Sequence, residues 1–222
     1  MLGSSKLLFS TATLLFLSWL LLILNLRTDY VNLSGVAPLG MVNLLFPAYW
    51  IILAGFVVTC FFAFRKQDSP RWLHMVLLAQ FALMLYYTPF LMGGFSWSPD
   101  SLWHAGVADY MPSILSGSSV TLGDYAQSYP LSFMVTYGVE SLLSLDVVTY
   151  TLYIFPPICI VLISSLAYFF ASRISNRKTA FLSLLLALPA LHYLEPHVSP
   201  FATGTVLLLA SLVLLTYKGA KA

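Results

Sequence analysis

The sequence predicts an all-α membrane protein: a polytopic bundle of about six transmembrane helices, with a long outer loop of short interfacial helices between the third and fourth. Three observations predict it. Hydrophobic residues make up 59% of the 222 positions and charged residues only 8%, where a soluble domain carries about a quarter. Apolar runs recur at lengths close to the ~20 residues a helix needs to cross a bilayer. Lys and Arg collect in short clusters between those runs, the pattern that orients a membrane protein. The chain divides into a transmembrane hairpin, residues 1–71, and a core, residues 72–222, whose outer loop is residues 91–146.

The first run, Leu7–Leu26, follows Lys6. It exceeds the roughly 7–15 residues of a secretory signal core and has no small-residue cleavage site behind it, so it reads as an uncleaved span. Leu44–Phe64 and Trp72–Phe90 are clean spans. Val147–Ala171 contains Pro156-Pro157, which predicts a kink or a local break. Thr179–Leu194 and Val198–Tyr217 are shorter or polar at one end.

Pro130–Leu145 (PLSFMVTYGVESLLSL) is apolar but short, and contains Glu140. If it crossed the membrane, the Arg173–Lys178 cluster would face outward while Arg65–Arg71 faced inward. If it lies at the interface, both clusters, Lys6, Lys218 and Lys221 share one side, as the positive-inside rule requires. It therefore reads as a helix lying flat, with Phe133, Tyr137 and Leu142 toward lipid. Both termini are then cytoplasmic, in a plasma membrane. Of the cations only Arg27 is outside. The acids Asp29, Asp100, Asp109, Asp124, Glu140, Asp146 and Glu195, with His104, His192 and His197, gather on the outer face.

Composition also excludes some functions. A net charge of +2 with no aromatic-interleaved basic stripe rules out nucleic acid as a partner. Cys60 and Cys159 sit within apolar runs and read as small buried hydrophobes, with no disulfide framework or metal spacing.

The outer loop opens GGFSWSPDSLWHAGVADYM. Ser98 fits a helix cap, Pro99 the first helical position and Asp100 the anion-favouring first turn. Asp100 and His104 then share a face, and Asp109 lies about half a turn away. A carboxylate one turn from an imidazole can serve as a base with its orienting partner, or as two ligands of a divalent cation. The plainer alternative is a stabilised helix start, with His104 at the lipid headgroups. In the second outer loop, HYLEPHVSP, His192, Glu195 and His197 are further candidate metal ligands, although they match no helical zinc signature. Asp146 reads as the cap of the following span.

This order of elements resembles the amino-terminal core of the GT-C superfamily of integral-membrane glycosyltransferases, which includes protein mannosyltransferases, aminoarabinose transferases and oligosaccharyltransferases. The likeness rests on Asp100, Trp103 and His104 after a span, Tyr129-Pro130 opening an interfacial helix, the long span from Val147, and the basic turn with its Ala/Leu-rich span RISNRKTAFLSLLLALPAL. It covers roughly Trp72 to Lys178. The resemblance implies sugar transfer from a polyprenyl-phosphate-linked donor, with Asp100 as the loop's first acid acting as base or acceptor-orienting group. His104 and Asp109 rank behind it as catalytic candidates, and Trp103, Tyr129 and Arg27 are expected at the substrate.

The chain departs from that pattern in three ways. The acidic loop follows the third span, making Met1–Arg71 an added hairpin. The length is less than half that usual in the family. A phosphate-bearing donor calls for outer Arg or Lys, and Arg27 stands alone. The resemblance therefore implies either a bridging divalent cation or, preferably, cations from a second subunit or a carboxyl-terminal domain. Two other classes stand beside the transferase. A transporter component would carry mid-membrane ionisable groups and internal repeats, which are not seen. A non-catalytic scaffold or partner subunit would use its outer acids only to keep the surface wet.

Overall fold

The computed structural model describes residues 2–26, 45, 47–93, 99–117, 130–190 and 199–218. The elements are helical, with no strand among the described residues: α1 (Leu2–Leu26), α2 (Pro47–Arg65), α3 (Arg71–Tyr86), α4 (Thr88–Gly93), α5 (Pro99–Asp109), α6 (Met111–Leu115), α7 (Pro130–Leu143), a single turn α8 (Val147–Thr149), a π-turn (Tyr150–Ile154), α9 (Phe155–Ile174), α10 (Arg177–Ala187), a 3₁₀ turn (Leu188–Ala190) and α11 (Pro200–Lys218).

Among the described residues, three helices are long and apolar enough to cross a membrane: Ser4–Asn25, Pro47–Arg65 and Phe155–Ile174. Their outward faces suit lipid. Leu7, Leu14 and Leu21, two turns apart along α1, are 67%, 65% and 62% exposed, an apolar stripe that water would penalise. Arg71–Tyr86 and Pro200–Thr216 are apolar but shorter.

The expected span Trp72–Phe90 is broken at Tyr87 into α3 and α4. Pro89 has no N–H to offer the Leu85 carbonyl, so the helical ladder loses a bond there. The expected span Thr179–Leu194 is described only as far as Ala190. α10 and its 3₁₀ turn together rise about 22 Å, against ~30 Å of hydrocarbon.

The prolines of the long fourth run break it where expected, and the structure shows how the break is satisfied. Pro156 and Pro157 take the second and third positions of α9, and the preceding turn widens so that the Phe155 N–H reaches back to the Tyr150 carbonyl. Pro157 leaves the Tyr153 carbonyl without its usual donor. The Tyr87 hydroxyl donates to it at 2.9 Å.

α3 is the central element, with Leu73, His74, Leu77, Leu78, Phe81, Ala82 and Met84 buried. It runs antiparallel to α9: His74 Nδ1 lies 3.1 Å from the Tyr168 hydroxyl at one end, and Tyr87 meets Tyr153 at the other. α1 and α2 cover its other flank. Trp19, Ile23, Tyr49, Phe56 and Cys60 join the same cluster as Tyr168, Phe181 and Leu185, so the expected hairpin and the expected core share one interior. The Trp19 indole donates to Thr88 at 2.9 Å, and the Tyr49 hydroxyl donates to the Met84 carbonyl at 3.1 Å. Both cysteines are buried and free.

The helix ends sort by charge. Lys66 donates to Ser4 (2.6 Å) and Ser5 at the start of α1. The turn that follows it, Gln67–Pro70, shares a cavity with Arg177 and Lys178. We call this the basic end. At the opposite end of α9 lie α5, α7 and α8, with Asp109, Glu140 and Asp146.

Candidate active site at the acidic end

α5 starts at Pro99, as its sequence predicts. Together with α6 it packs against α7 through a small core of Val107, Met111 and Phe133, flanked by Ile114 and Tyr137. Phe133 is fully buried there, not turned toward lipid. The reason is that α7 has a partner helix, and its largest ring fills the gap between them. Leu142 does face outward, at 85% exposure.

His104 is likewise buried instead of lying at the headgroups. Its ring tilts against Phe133 with centroids 5.6 Å apart, and Trp103, about half exposed, meets both rings edge-on. Asp100 lies in the first turn of α5, one turn before His104, with its side chain outside the described residues. Asp109 is exposed at the far end of α5. Arg27, Tyr129, His192, Glu195 and His197 all fall outside the described residues. Among those described, no three His, Cys, Asp or Glu side chains converge as a metal site.

The residue that sequence reading passed over is Glu140. α7 buries Ser132, Thr136 and Glu140, spaced four apart and so on one face. Glu140 is 7% exposed. Among the described residues, neither its Oε1 nor Ser132 Oγ nor Thr151 Oγ1 in the adjoining π-turn finds a hydrogen-bond partner. Each unmet polar atom calls for an explanation, because each costs about 1–3 kcal/mol when left unmade.

Burial pushes the Glu140 carboxyl up to about 7, helped by the like charges of Asp109 and Asp146. Asp146 behaves oppositely. The Thr149 hydroxyl, and then the Thr149 N–H at 2.9 Å, donate to its exposed carboxylate and hold it below the usual carboxylate range, and the N–H contact caps α8 as expected. A buried acid that exchanges its proton near neutral pH, beside an exposed ionised one, is the pairing that acid–base catalysis uses.

The backbone fixes the end of α7. Ser144 adopts φ 52° and the Leu145 N–H closes on the Glu140 carbonyl at 3.1 Å, a left-handed helix stop that normally favours glycine.

The neighbouring face of α7 lines a groove of about 350 Å³, almost wholly apolar, between α7, α9 and α11. Leu131, Val135, Tyr150, Phe155, Ile158 and Val206 are among its walls. Tyr150 links the two features, since it lines the groove and is within electrostatic reach of Glu140. α7 thus separates a polar, protonable seam from a channel suited to hydrocarbon. No family model, curated protein or solved structure matches the chain.

Proposed function

We propose that the chain is a membrane glycosyltransferase of GT-C type, or the amino-terminal part or a subunit of one. In this reading it crosses the plasma membrane six times with both termini cytoplasmic, and moves a sugar from a polyprenyl-phosphate-linked donor to an acceptor hydroxyl at the outer face. The observation that carries the reading is the division made by α7: protonable Glu140 on one side, and a groove sized for a lipid chain on the other. A lipid-linked substrate presents those two chemistries together, a polar reacting head on an apolar tail.

The acceptor oxygen attacks the anomeric carbon, the bond from that carbon to the donor phosphate breaks, and the lipid phosphate departs with the bonding pair. The acceptor's proton passes to a carboxylate. Glu140 is the preferred base because a conjugate acid near 7 matches the working pH; Asp100 orients the acceptor. Charge on the leaving phosphate would be met by the cations of a second subunit or carboxyl-terminal domain, or by a divalent cation if one binds.

The test is transfer from a polyprenyl-phosphate sugar in a full-length or reconstituted system. Glu140→Gln is expected to lower the rate about 10²–10⁴-fold and to remove the rise in rate through neutral pH that deprotonation of a base gives. Asp100→Asn is expected to lower it as well. Wild-type transfer in both variants would sink the reading and leave a non-catalytic scaffold.

A further inference from the structure

The basic end holds a second cavity, of about 200 Å³, lined by Gln67, Asp68, Ser69, His74, Arg177 and Lys178. Two helix amino termini form its walls. α10 begins Arg177-Lys178 behind its Asn176 cap, and the Asn176 side chain accepts the Thr179 N–H at 2.9 Å. The first N–H groups of α10 have no acceptor within the helix. α3 begins with Arg71 behind Pro70. Neither helix carries an acid in its first turn.

Cations in a first turn oppose the helix dipole. Both helices therefore start with charge of the wrong sign for their own stability, and among the described residues neither Arg177 nor Lys178 forms an ion pair. A loop on the positive side of a membrane needs cations somewhere, which accounts for their number. It does not account for Ser69. This side chain lines the cavity, is 6% exposed, and its Oγ has no hydrogen-bond partner among the described residues. His74 beneath is held in place, stacked at 4.4 Å on Phe181 and 3.1 Å from the Tyr168 hydroxyl.

We propose that this cavity binds a phosphate group. The anion accepts from the Ser69 hydroxyl, from the free N–H groups at the start of α10, and from Arg177 and Lys178, where charge-assisted bonds are strongest. It offsets the dipole conflict of both helices and satisfies the buried hydroxyl. The volume equals that of six or seven liquid waters at ~30 Å³ each, which suits a phosphate and part of its hydration. Asp68 at the rim opposes the anion and limits its affinity. The phosphate arrives either on a phospholipid headgroup, along the ends of the apolar helices, or on a free phosphate compound from the aqueous side.

The unfolding midpoint of the full chain tests the proposal in two settings. One is neutral detergent with and without inorganic phosphate at constant ionic strength. The other is nanodiscs of phosphatidylcholine with and without phosphatidylglycerol. Stabilisation by inorganic phosphate assigns a free phosphate compound; stabilisation only by phosphatidylglycerol assigns a headgroup. Arg177→Gln with Lys178→Gln is expected to weaken binding about tenfold or more, and Asp68→Asn to tighten it. Ser69→Ala is expected to weaken binding while leaving the phosphate-free protein at least as stable, because it removes an unpaired buried hydroxyl. No stabilisation in either setting would overturn the proposal. So would full stabilisation retained by the Ser69→Ala protein and the double variant.

Discussion

The acidic and basic ends of the bundle face the same electrostatic problem and answer it differently. Each gathers like charges around a buried polar side chain: Asp109 and Asp146 around Glu140 at one end, and Arg177 and Lys178 around the Ser69 hydroxyl at the other. A carboxyl can escape by taking a proton, because its ordinary pKa of about 4 lies only a few units below neutral. A guanidinium cannot give one up under any physiological condition. Like charges therefore build a proton-exchanging group from acids, and an anion-seeking one from Arg and Lys.

The most disruptive way to separate the ends is Phe133→Ala. Deleting a fully buried ring costs about 3–5 kcal/mol, and Phe133 belongs to the α5–α7 core and not to the central one. Hydrogen exchange should accelerate through α5 and α7 while α3 and α10 keep their protection. Equal loosening at both ends would show that the two regions are a single cooperative unit.

Next in size is the pH response. Glu140 holds its proton more tightly folded than unfolded, rising from 4.5 to about 7. Its contribution is fully present below about 4.5 and is lost as pH climbs through 7. With allowance for screening by nearby water, the loss is on the order of 1–2 kcal/mol. Glu140→Gln should flatten that part of the stability–pH curve. Asp109→Asn should shift it to lower pH, since it removes a like charge. Unfolding midpoints across pH 4–8 in detergent would read both effects, and an unchanged curve in Glu140→Gln would assign the slope elsewhere.

Smaller effects probe the joints. Tyr87→Phe removes the donor to the Tyr153 carbonyl and should cost roughly 1 kcal/mol. Ser144→Gly should stabilise by roughly 0.5–1 kcal/mol, because glycine takes φ 52° without a Cβ clash. Thermal melts of each variant beside the wild type decide both, and a destabilised Ser144→Gly would mean that its side chain is needed at the end of α7.

Much of the architecture was legible from residue order because bilayer helices are written in composition. α1 and α2 fall within a few residues of the runs that announce them, Pro156-Pro157 marked the break before α9, and Asp146 marked the cap of α8. The interruption at Pro89 and the shortness of α10 were harder to see, since hydrophobicity alone continues past both. The polar side of α7 was visible as Ser132, Thr136 and Glu140 at four-residue spacing. Its meaning was not, because the charges that act on Glu140 come from two separate places, Asp109 at the end of α5 some thirty positions earlier and Asp146 at the cap of α8. Phe133 was misjudged for the same reason: a flat helix on lipid and a helix docked on another helix have the same pattern. The cations at the start of α10 read as orientation signals, and only the folded turn of Gln67–Pro70 adds the buried hydroxyl beside them.

The π-turn at Tyr150–Ile154 is also a phase shifter. One residue beyond the regular ladder is worth about 100° of azimuth. It clocks α9 so that Cys159 and Ile163 meet Ala202 of α11, while Tyr150 stays within electrostatic reach of Glu140. Shortening the turn by one residue would re-clock one side against the other, rotating either the groove wall or the seam out of alignment. The turn thus lets the dry shaft and its wet collar keep separate facings on one continuous rod.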